Sequence, residues 1–455
     1  MLFSSLTFLF YFLPIVILGH YLMPKRLQNA FLLLASLIFY AWGDARQVPL
    51  FSVLLLGNWG MGLLIDRMQT PRARKLMLTA GILMDFGALV FYKYIGFLLG
   101  IFGVTTGFFA EITLPLGISF FTFQAAAYLV DVYRRQTPPE KSFINFGAFL
   151  FLYPQLIAGP IIRYSDMAAA LHSKRRPSAK QLESGMALLV AGLASKVLLA
   201  NPLGEAFETL VALAPGQDTL CAWIALASCV MQVYFDFMGY SVMAVGLGRM
   251  MGFEFMRNFD FPLIARSITE FWRRWHITLT IWFRDYVYFP LGGSRKGAVR
   301  TIFNLMVVWG LTGLWHGASW NYLLWGLWYF AFIVAEKYTV KLRARLPGFV
   351  QHGVTIVAIL LGWVLIVNES MAGYLPYMRT LFTFQISAEC MFYLREYAIV
   401  LILGVLFSVP KVIGGLKALC RKYAWLRVIA VMGTLLLCIA SLVKSSYNPF
   451  IYFRF

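Results

Sequence analysis

Apolar residues in this chain come in long runs, most close to the about 20 residues a helix needs to cross a bilayer, and short basic clusters separate them. The first run, about residues 2 to 23, ends at Lys25 and Arg26. It has neither a positive n-region nor a small-residue cleavage site, so it is read as a retained first span. Runs near 28–42 and 48–66 flank the weakly charged GDARQ, and the basic loop DRMQTPRARK follows. A run near 77–100 leads outward, and LPLGISFFTFQAAAYLVDVY returns to YRRQTPPEK. With basic loops on the cytoplasmic face, these five spans fit one topology with the N-terminus outside. After residue 140 the alternation stops, because FINFGAFLFLYPQLIAGPIIRY is interrupted by Pro154, Gly159 and Pro160. Broken backbone is tolerated at membrane depth where it lines a cavity, so residues 143–165 are expected to be partly re-entrant. Runs near 184–200, 220–247, 301–316, 318–335, 350–368, 396–409 and 424–443 are helix candidates. No internal repeat is visible, which weakens an inverted-repeat transporter.

Composition agrees with the pattern. At 60% hydrophobic and 13% charged residues, with mean hydropathy +0.73, the chain has too much apolar surface for a soluble core. No long polar linker interrupts it, so residues 1–455 are expected to form a single transmembrane domain. The net charge of +19 does not indicate nucleic acid, because the basic residues form short clusters between apolar runs and not a continuous face. Cys221, Cys229, Cys390, Cys420 and Cys438 include no CxxC and lie in or beside apolar runs, so neither a disulfide framework nor a metal site is indicated.

Two segments carry candidate chemistry. In RSITEFWRRWHITLTIWFRDYVYFPLGG, Ser267 and Glu270 have capping-box spacing, so one membrane-length helix is expected from there to Pro290 and Gly292. Arg273, Arg274, His276, Arg284 and Asp285 are too many ionisable groups for a lipid-facing span, so this helix must line water or a polar cavity. Helical spacing puts His276 on a face with Trp272, Leu279, Thr280 and Phe283, and sets Arg274 and Asp285 about three turns apart on one side. His276 has two readings, a structural histidine bonded to a backbone carbonyl or a functional one. The arginines have two as well, interfacial anchors or ligands for the phosphates of an acyl donor. Arg295 and Lys296, just past Gly292-Gly293, are better placed for cytoplasmic phosphates, or are topogenic charges.

The second segment, between Arg300 and Glu336, has 35 residues without Asp, Glu, Lys or Arg. A straight helix of that length would reach roughly 52 Å against a bilayer core of about 30 Å, so the chain must bend. Gly313 and Gly317 bracket His316 near the middle, and Ser319 and Asn321 offer polar partners at the break. An imidazole at such depth can take a proton from a hydroxyl, and intramembrane ionisable groups are functional by default. Trp315 and its neighbouring tryptophans read more simply as packing or interface residues.

These segments, with FLLLASLIFYAWGD, LPLGISFFTFQ, YPQLIAGPIIRY, YFDFMGYSVMAVGLGRMMGF and LTGLWHGASW in order over residues 31 to 320, resemble the membrane-bound O-acyltransferase family. The resemblance is to its bacterial branch of alginate and peptidoglycan O-acetyltransferases, with a core signature at about 113–337. It implies an all-α polytopic membrane protein, a ring of roughly 11 to 13 transmembrane and re-entrant helices around a thin centre with a funnel to each face. It also implies His316 as the essential residue and His276 as its partner; Trp315, Asn321 and Asp285 are candidate supporting residues by their positions in the two segments. Acetyl-CoA would be the donor substrate, with no tightly bound cofactor. The implied place is the bacterial inner membrane, with an extracytoplasmic SGNH or esterase-like partner that delivers acetyl to a polysaccharide. In one stretch the chain departs from the family's FDFSGYSDMA, with Met238 and Val242 in place of a hydroxyl and a carboxylate. The terminal NPFIYFRF resembles aromatic ends in this branch, where Tyr452 would be an acyl acceptor or else an interfacial anchor. D-alanyl transfer from a carrier protein and a non-catalytic flippase stand as alternatives.

Overall fold

The computed structural model describes residues 1–104, 107, 112–213, 218–368 and 371–444, so Tyr452 lies outside the described residues. Every regular element among the described residues is helical. In chain order these are α1 (Leu13–Leu22), α2 (Lys25–Asp44), α3 (Val48–Arg67), α4 (Pro71–Leu89), α5 (Ile95–Ile101), α6 (Ile118–Tyr133), α7 (Phe143–Leu150), α8 (Tyr153–Leu156), α9 (Tyr164–His172), α10 (Ala179–Ala194) and α11 (Asn201–Leu213). They continue as α12 (Thr219–Met250), α13 (Ile268–Arg274), α14 (Ile277–Phe283), α15 (Gly297–His316), α16 (Trp320–Tyr338), α17 (Val340–Arg343), α18 (Gly348–Val367), α19 (Met371–Thr380), α20 (Ala388–Phe407), α21 (Pro410–Lys422) and α22 (Ala424–Lys444). Among the described residues, eight helical stretches are long and apolar enough to cross a membrane, and the longest, Lys25–Arg67, holds both α2 and α3. Large apolar side chains such as Leu18, Val53, Leu83, Ile399 and Leu436 are exposed, a surface that only lipid can solvate. The protein is an all-α polytopic membrane protein.

The chain forms two compact units, residues 1–189 with 240–257, and residues 190–239 with 258–455. In the first, Phe3, Phe39, Tyr153 and Tyr240 build an aromatic core, with Phe3 stacked on Tyr240 at 4.3 Å. The Pro/Gly-rich segment breaks as its sequence requires. Helix α7 stops at Leu150, α8 is four residues long, and residues 160–162 are buried without helix. Side chains meet the backbone groups freed by that break: the Tyr153 N–H donates to Ser36 Oγ at 3.0 Å, and the Gln155 side-chain amide donates to the Phe149 carbonyl. A Cβ on Gly159 would lie 2.4 Å from Gln155 Cα, so only glycine lets the backbone pass here.

The second unit corrects the expectation of one long helix from Ser267 to Pro290. The capping is as expected, with Ser267 Oγ accepting the Glu270 N–H at 2.9 Å. The helix then stops at Arg274, and His276 adopts a left-handed conformation with φ +44°. Helix α14 begins at Ile277 and passes into a π-helical turn at Arg284–Tyr288. The break persists because residues 258–260 satisfy both new helix ends. The Asp260 N–H donates to the Arg274 carbonyl at 2.9 Å, and the Ile277 N–H donates to the Asn258 carbonyl at 2.9 Å. Helical spacing therefore does not carry across His276. Asp285 pairs with adjacent Arg284 at 2.7 Å, while Arg274 binds Glu270 at 3.0 Å and Asp260.

The other expected break is at its place, but as a reversal. Helix α15 ends at His316, Gly317 is extended, and α16 starts at Trp320 and packs back along α15. A Cβ on Gly313 would come within 2.3 Å of the Tyr322 carbonyl, and one on Gly326 within 2.3 Å of the Trp309 carbonyl. Glycine at both positions sets how closely the two helices approach. Because the two halves run antiparallel, chain length alone does not set the depth of His316.

Candidate active site

His316 is the last residue of α15, and its ring faces a small cavity also lined by Val233 and Phe237 of α12, Trp275, Tyr322 and Trp325. Trp363 and Ile366 of α18 complete its lining. The cavity holds ≈ 20 Å³ of space for water-sized groups, enough for one or two of them. Gly317 makes the turn possible in this packing, since a Cβ there would sit 2.1 Å from the Tyr322 ring.

Behind His316 lies His276. The Trp315 ring stands 4.7 Å from the His316 ring and 5.5 Å from the His276 ring, so it touches both, and the two imidazoles interact electrostatically. Trp325 stands edge-on to His316 at 4.8 Å, and Phe237 edge-on to His276 at 4.8 Å. His316 is 8% exposed and lines the cavity, whereas His276 is completely buried. The two expected catalytic residues are thus brought together with unequal access.

Asn258 settles which nitrogen of His276 carries the proton. Its Oδ1 lies 3.2 Å from the Thr278 N–H nitrogen, 3.0 Å from Thr278 Oγ1 and 3.2 Å from His276 Nδ1. A backbone N–H can only donate, so the amide atom facing it must be the oxygen; the flipped amide would set two donors against each other. The ring nitrogen meeting that oxygen must then donate. His276 is the Nδ1–H tautomer, with its lone pair on Nε2.

Glu336, the first acid after the uncharged stretch, holds the start of α13 from α16. It accepts from the Ile268 N–H at 2.6 Å, the Thr269 N–H at 2.9 Å and Thr269 Oγ1 at 2.6 Å. A carboxylate on those donors meets both their hydrogen-bonding need and the positive end of the helix. Glu336→Ala is expected to lower the thermal unfolding midpoint in detergent, consistent with about 1–3 kcal/mol for stranded donors, with Glu336→Gln intermediate. An unchanged midpoint in the alanine variant would show that water replaces the carboxylate at no cost.

The remaining expected residues are placed as follows. Asn321 donates to the Asn368 carbonyl at 2.7 Å, tying the start of α16 to the end of α18. Arg273, Arg284, Arg295 and Lys296 are exposed, and Arg274 is partly buried in its ion pairs. In the stretch that departs from the family pattern, Asp236 forms an ion pair with Lys196 at 2.9 Å, both groups buried. Met238 packs against the surrounding apolar core. A Cβ on Gly239 would meet the Gly192 carbonyl at 2.7 Å, so this part of α12 is shaped by close packing. Asn258, Glu336 and Trp363 were not legible as site residues, since they stand 18, 68 and 47 positions from His276, Ile268 and His316, the residues they bond or share a cavity with.

The sequence profile of the membrane-bound O-acyltransferase family matches residues 134–367, which include both histidines, Asn258 and Glu336. Over its whole length the chain is 35% identical to the full length of a probable alginate O-acetylase of Pseudomonas putida. A peptidoglycan O-acetyltransferase of Helicobacter pylori is 31% identical over 83% of the chain and 79% of its own length. A teichoic acid D-alanyltransferase of Streptococcus thermophilus is 32% identical over 47% of the chain and 54% of its own length. With the profile on half of its residues and full-length similarity to such a relative, the chain belongs to the membrane-bound O-acyltransferase family.

Proposed function

We propose that this protein takes acetyl from acetyl-CoA on the cytoplasmic face and passes it across the membrane for O-acetylation of an extracytoplasmic polysaccharide. The observation that carries this reading is the small aromatic cavity against His316, which leaves room beside the imidazole for a small group and not for a long acyl chain. In the proposed step His316 takes the proton of the acceptor hydroxyl while that oxygen attacks the acetyl carbonyl carbon. The carbon–sulfur bond of the thioester breaks, and coenzyme A leaves as the thiol after gaining that proton. His276, buried with its lone pair on Nε2, orients His316.

The relatives named for alginate and peptidoglycan acetylation support a polysaccharide as the final acceptor. An extracytoplasmic SGNH or esterase-like partner would complete the delivery, with Tyr452 a candidate first acceptor. The bacterial inner membrane, with the N-terminus outside and Lys25 and Arg26 inside, is the corresponding placement. The exposed Arg273, Arg284, Arg295 and Lys296 are candidates for the donor's phosphates.

The test uses membranes containing this protein alone and acetyl-CoA labelled in the acetyl group. Release of free coenzyme A, with label moving to water or to an added hydroxyl acceptor, is the expected result. A thioester that stays intact while label crosses the membrane would instead identify a transporter.

A further inference from the structure

Away from the histidines, the first turns of α12 and α20 meet. Thr219 donates its N–H to the Gln385 carbonyl at 2.9 Å and its hydroxyl to the Thr380 carbonyl at 2.9 Å. Tyr377 donates to the Ala222 carbonyl at 3.0 Å, and Trp223 Nε1 to the Leu381 carbonyl at 3.0 Å. Asp218 joins the two helix starts, accepting from the Cys221 N–H at 3.0 Å, the Ser387 N–H at 2.6 Å and the Ser387 hydroxyl at 2.6 Å. Inside this junction lie Cys221 and Cys390, each in the first turn of its helix and each fully buried. Their sulfurs and the nearest Asp218 oxygen all lie within 4.8 Å of one another.

Two chemistries suit such a cluster, a metal ion or a bond between the sulfurs. The carboxylate decides between them. Three of its roughly four acceptor positions are already taken by N–H and O–H donors, which leaves a poor third ligand, and two thiols alone do not make a zinc site. The compartment points the same way. Both helices begin at these cysteines and run toward basic ends: Arg249 lies in the last turn of α12, and Lys411, Lys417, Arg421 and Lys422 follow α20. On the inner-membrane placement proposed above, positive charge marks the cytoplasmic face, which puts the cysteines at the opposite, oxidising face.

We propose that Cys221 and Cys390 form a disulfide that clasps α12 to α20. Val233 and Phe237 of α12 line the His316 cavity, so the clasp anchors a helix that shapes the site. The bond forms by exchange with a protein disulfide donor of the extracytoplasmic compartment. Cys221 and Cys390 each lose a proton and together two electrons, one sulfur–sulfur bond forms, and the donor's disulfide is reduced to two thiols that take up the protons. Complete burial of both sulfurs then shields the bond from reduction.

The experiment takes the full chain from bacterial membranes and denatures it with N-ethylmaleimide before any reductant. After digestion, mass spectrometry should find the Cys221 and Cys390 peptides cross-linked and free of maleimide, and reductant should release two alkylatable thiols. Maleimide on both residues in the unreduced sample would overturn the proposal, as would one equivalent of bound zinc lost in Cys221→Ala. Reductant should also lower the unfolding midpoint of the wild type but leave Cys221→Ala and Cys390→Ala unmoved; an equal shift in all three would count against the clasp.

Discussion

His316→Ala is expected to lower acetyl transfer by about 10²- to 10⁴-fold, the range that a positioned general base supplies. The protein should still insert and elute as wild type, because the substitution removes a side chain that faces a cavity at the end of a helix. Coenzyme A release from labelled acetyl-CoA and acetylation of polymer should fall together, since both depend on the same proton transfer. His316→Gln, which keeps a hydrogen-bonding group of similar size but cannot accept a proton at neutral pH, should be as inactive as the alanine variant. If His316→Gln retained more than about a tenth of the rate, the imidazole would be positioning the acceptor and not acting as its base.

The second large effect is expected at Asn258. Asn258→Ala removes the acceptor that keeps the proton on Nδ1 of His276, together with two bonds to Thr278 at the start of α14. The rate should drop by about 10- to 100-fold, the usual cost of losing an orienting partner behind a functional imidazole. Stability should drop too, by about 1–2 kcal/mol for the lost cap. Asn258→Asp separates the two, because a carboxylate accepts from the same three donors. It should restore both stability and most of the rate, and its added charge should shift the pH profile of transfer toward higher pH by favouring a charged His276. An aspartate variant as slow as the alanine one would refute the tautomer assignment, whereas a fully active alanine variant would show that His276 needs no orienting partner.

Several parts of this protein were legible from local pattern. Run length and the absence of charge revealed the spans, because a bilayer imposes a near-uniform length on any helix that crosses it. The 35-residue uncharged stretch had to break, and glycines at 313 and 317 marked the place. The Ser267 cap was visible for the same reason, as it involves residues three apart. Interruption of residues 143–165 by proline and glycine was equally local, since those residues withhold a donor or relax the backbone wherever they occur.

The helix after Ser267 shows where such reasoning fails. Nothing between Phe271 and Phe283 is a helix breaker, and an apolar period continues through it, so local preference extends the helix across His276. The structure stops it because residues 258–260 supply hydrogen bonds to both ends of the break, which offsets the strain of a left-handed histidine. Likewise the reversal at Gly317 turns a bend into an antiparallel pair, and close contacts across α15 and α16 explain glycines whose purpose is not visible in sequence.

Taken by itself, the sequence determined that this chain lives in a membrane, where its helices begin and end for the most part, and that His316 stands at a break in an uncharged stretch. Those properties follow from composition and from interactions between neighbours a few residues apart. Only tertiary structure decided that His276 is set behind His316, that Asn258 selects its tautomer, that Glu336 anchors α13, and that aromatic rings from α16 and α18 leave room for a small group. These are contacts between residues tens of positions apart, and their geometry is fixed by packing and by the need of buried polar groups for partners.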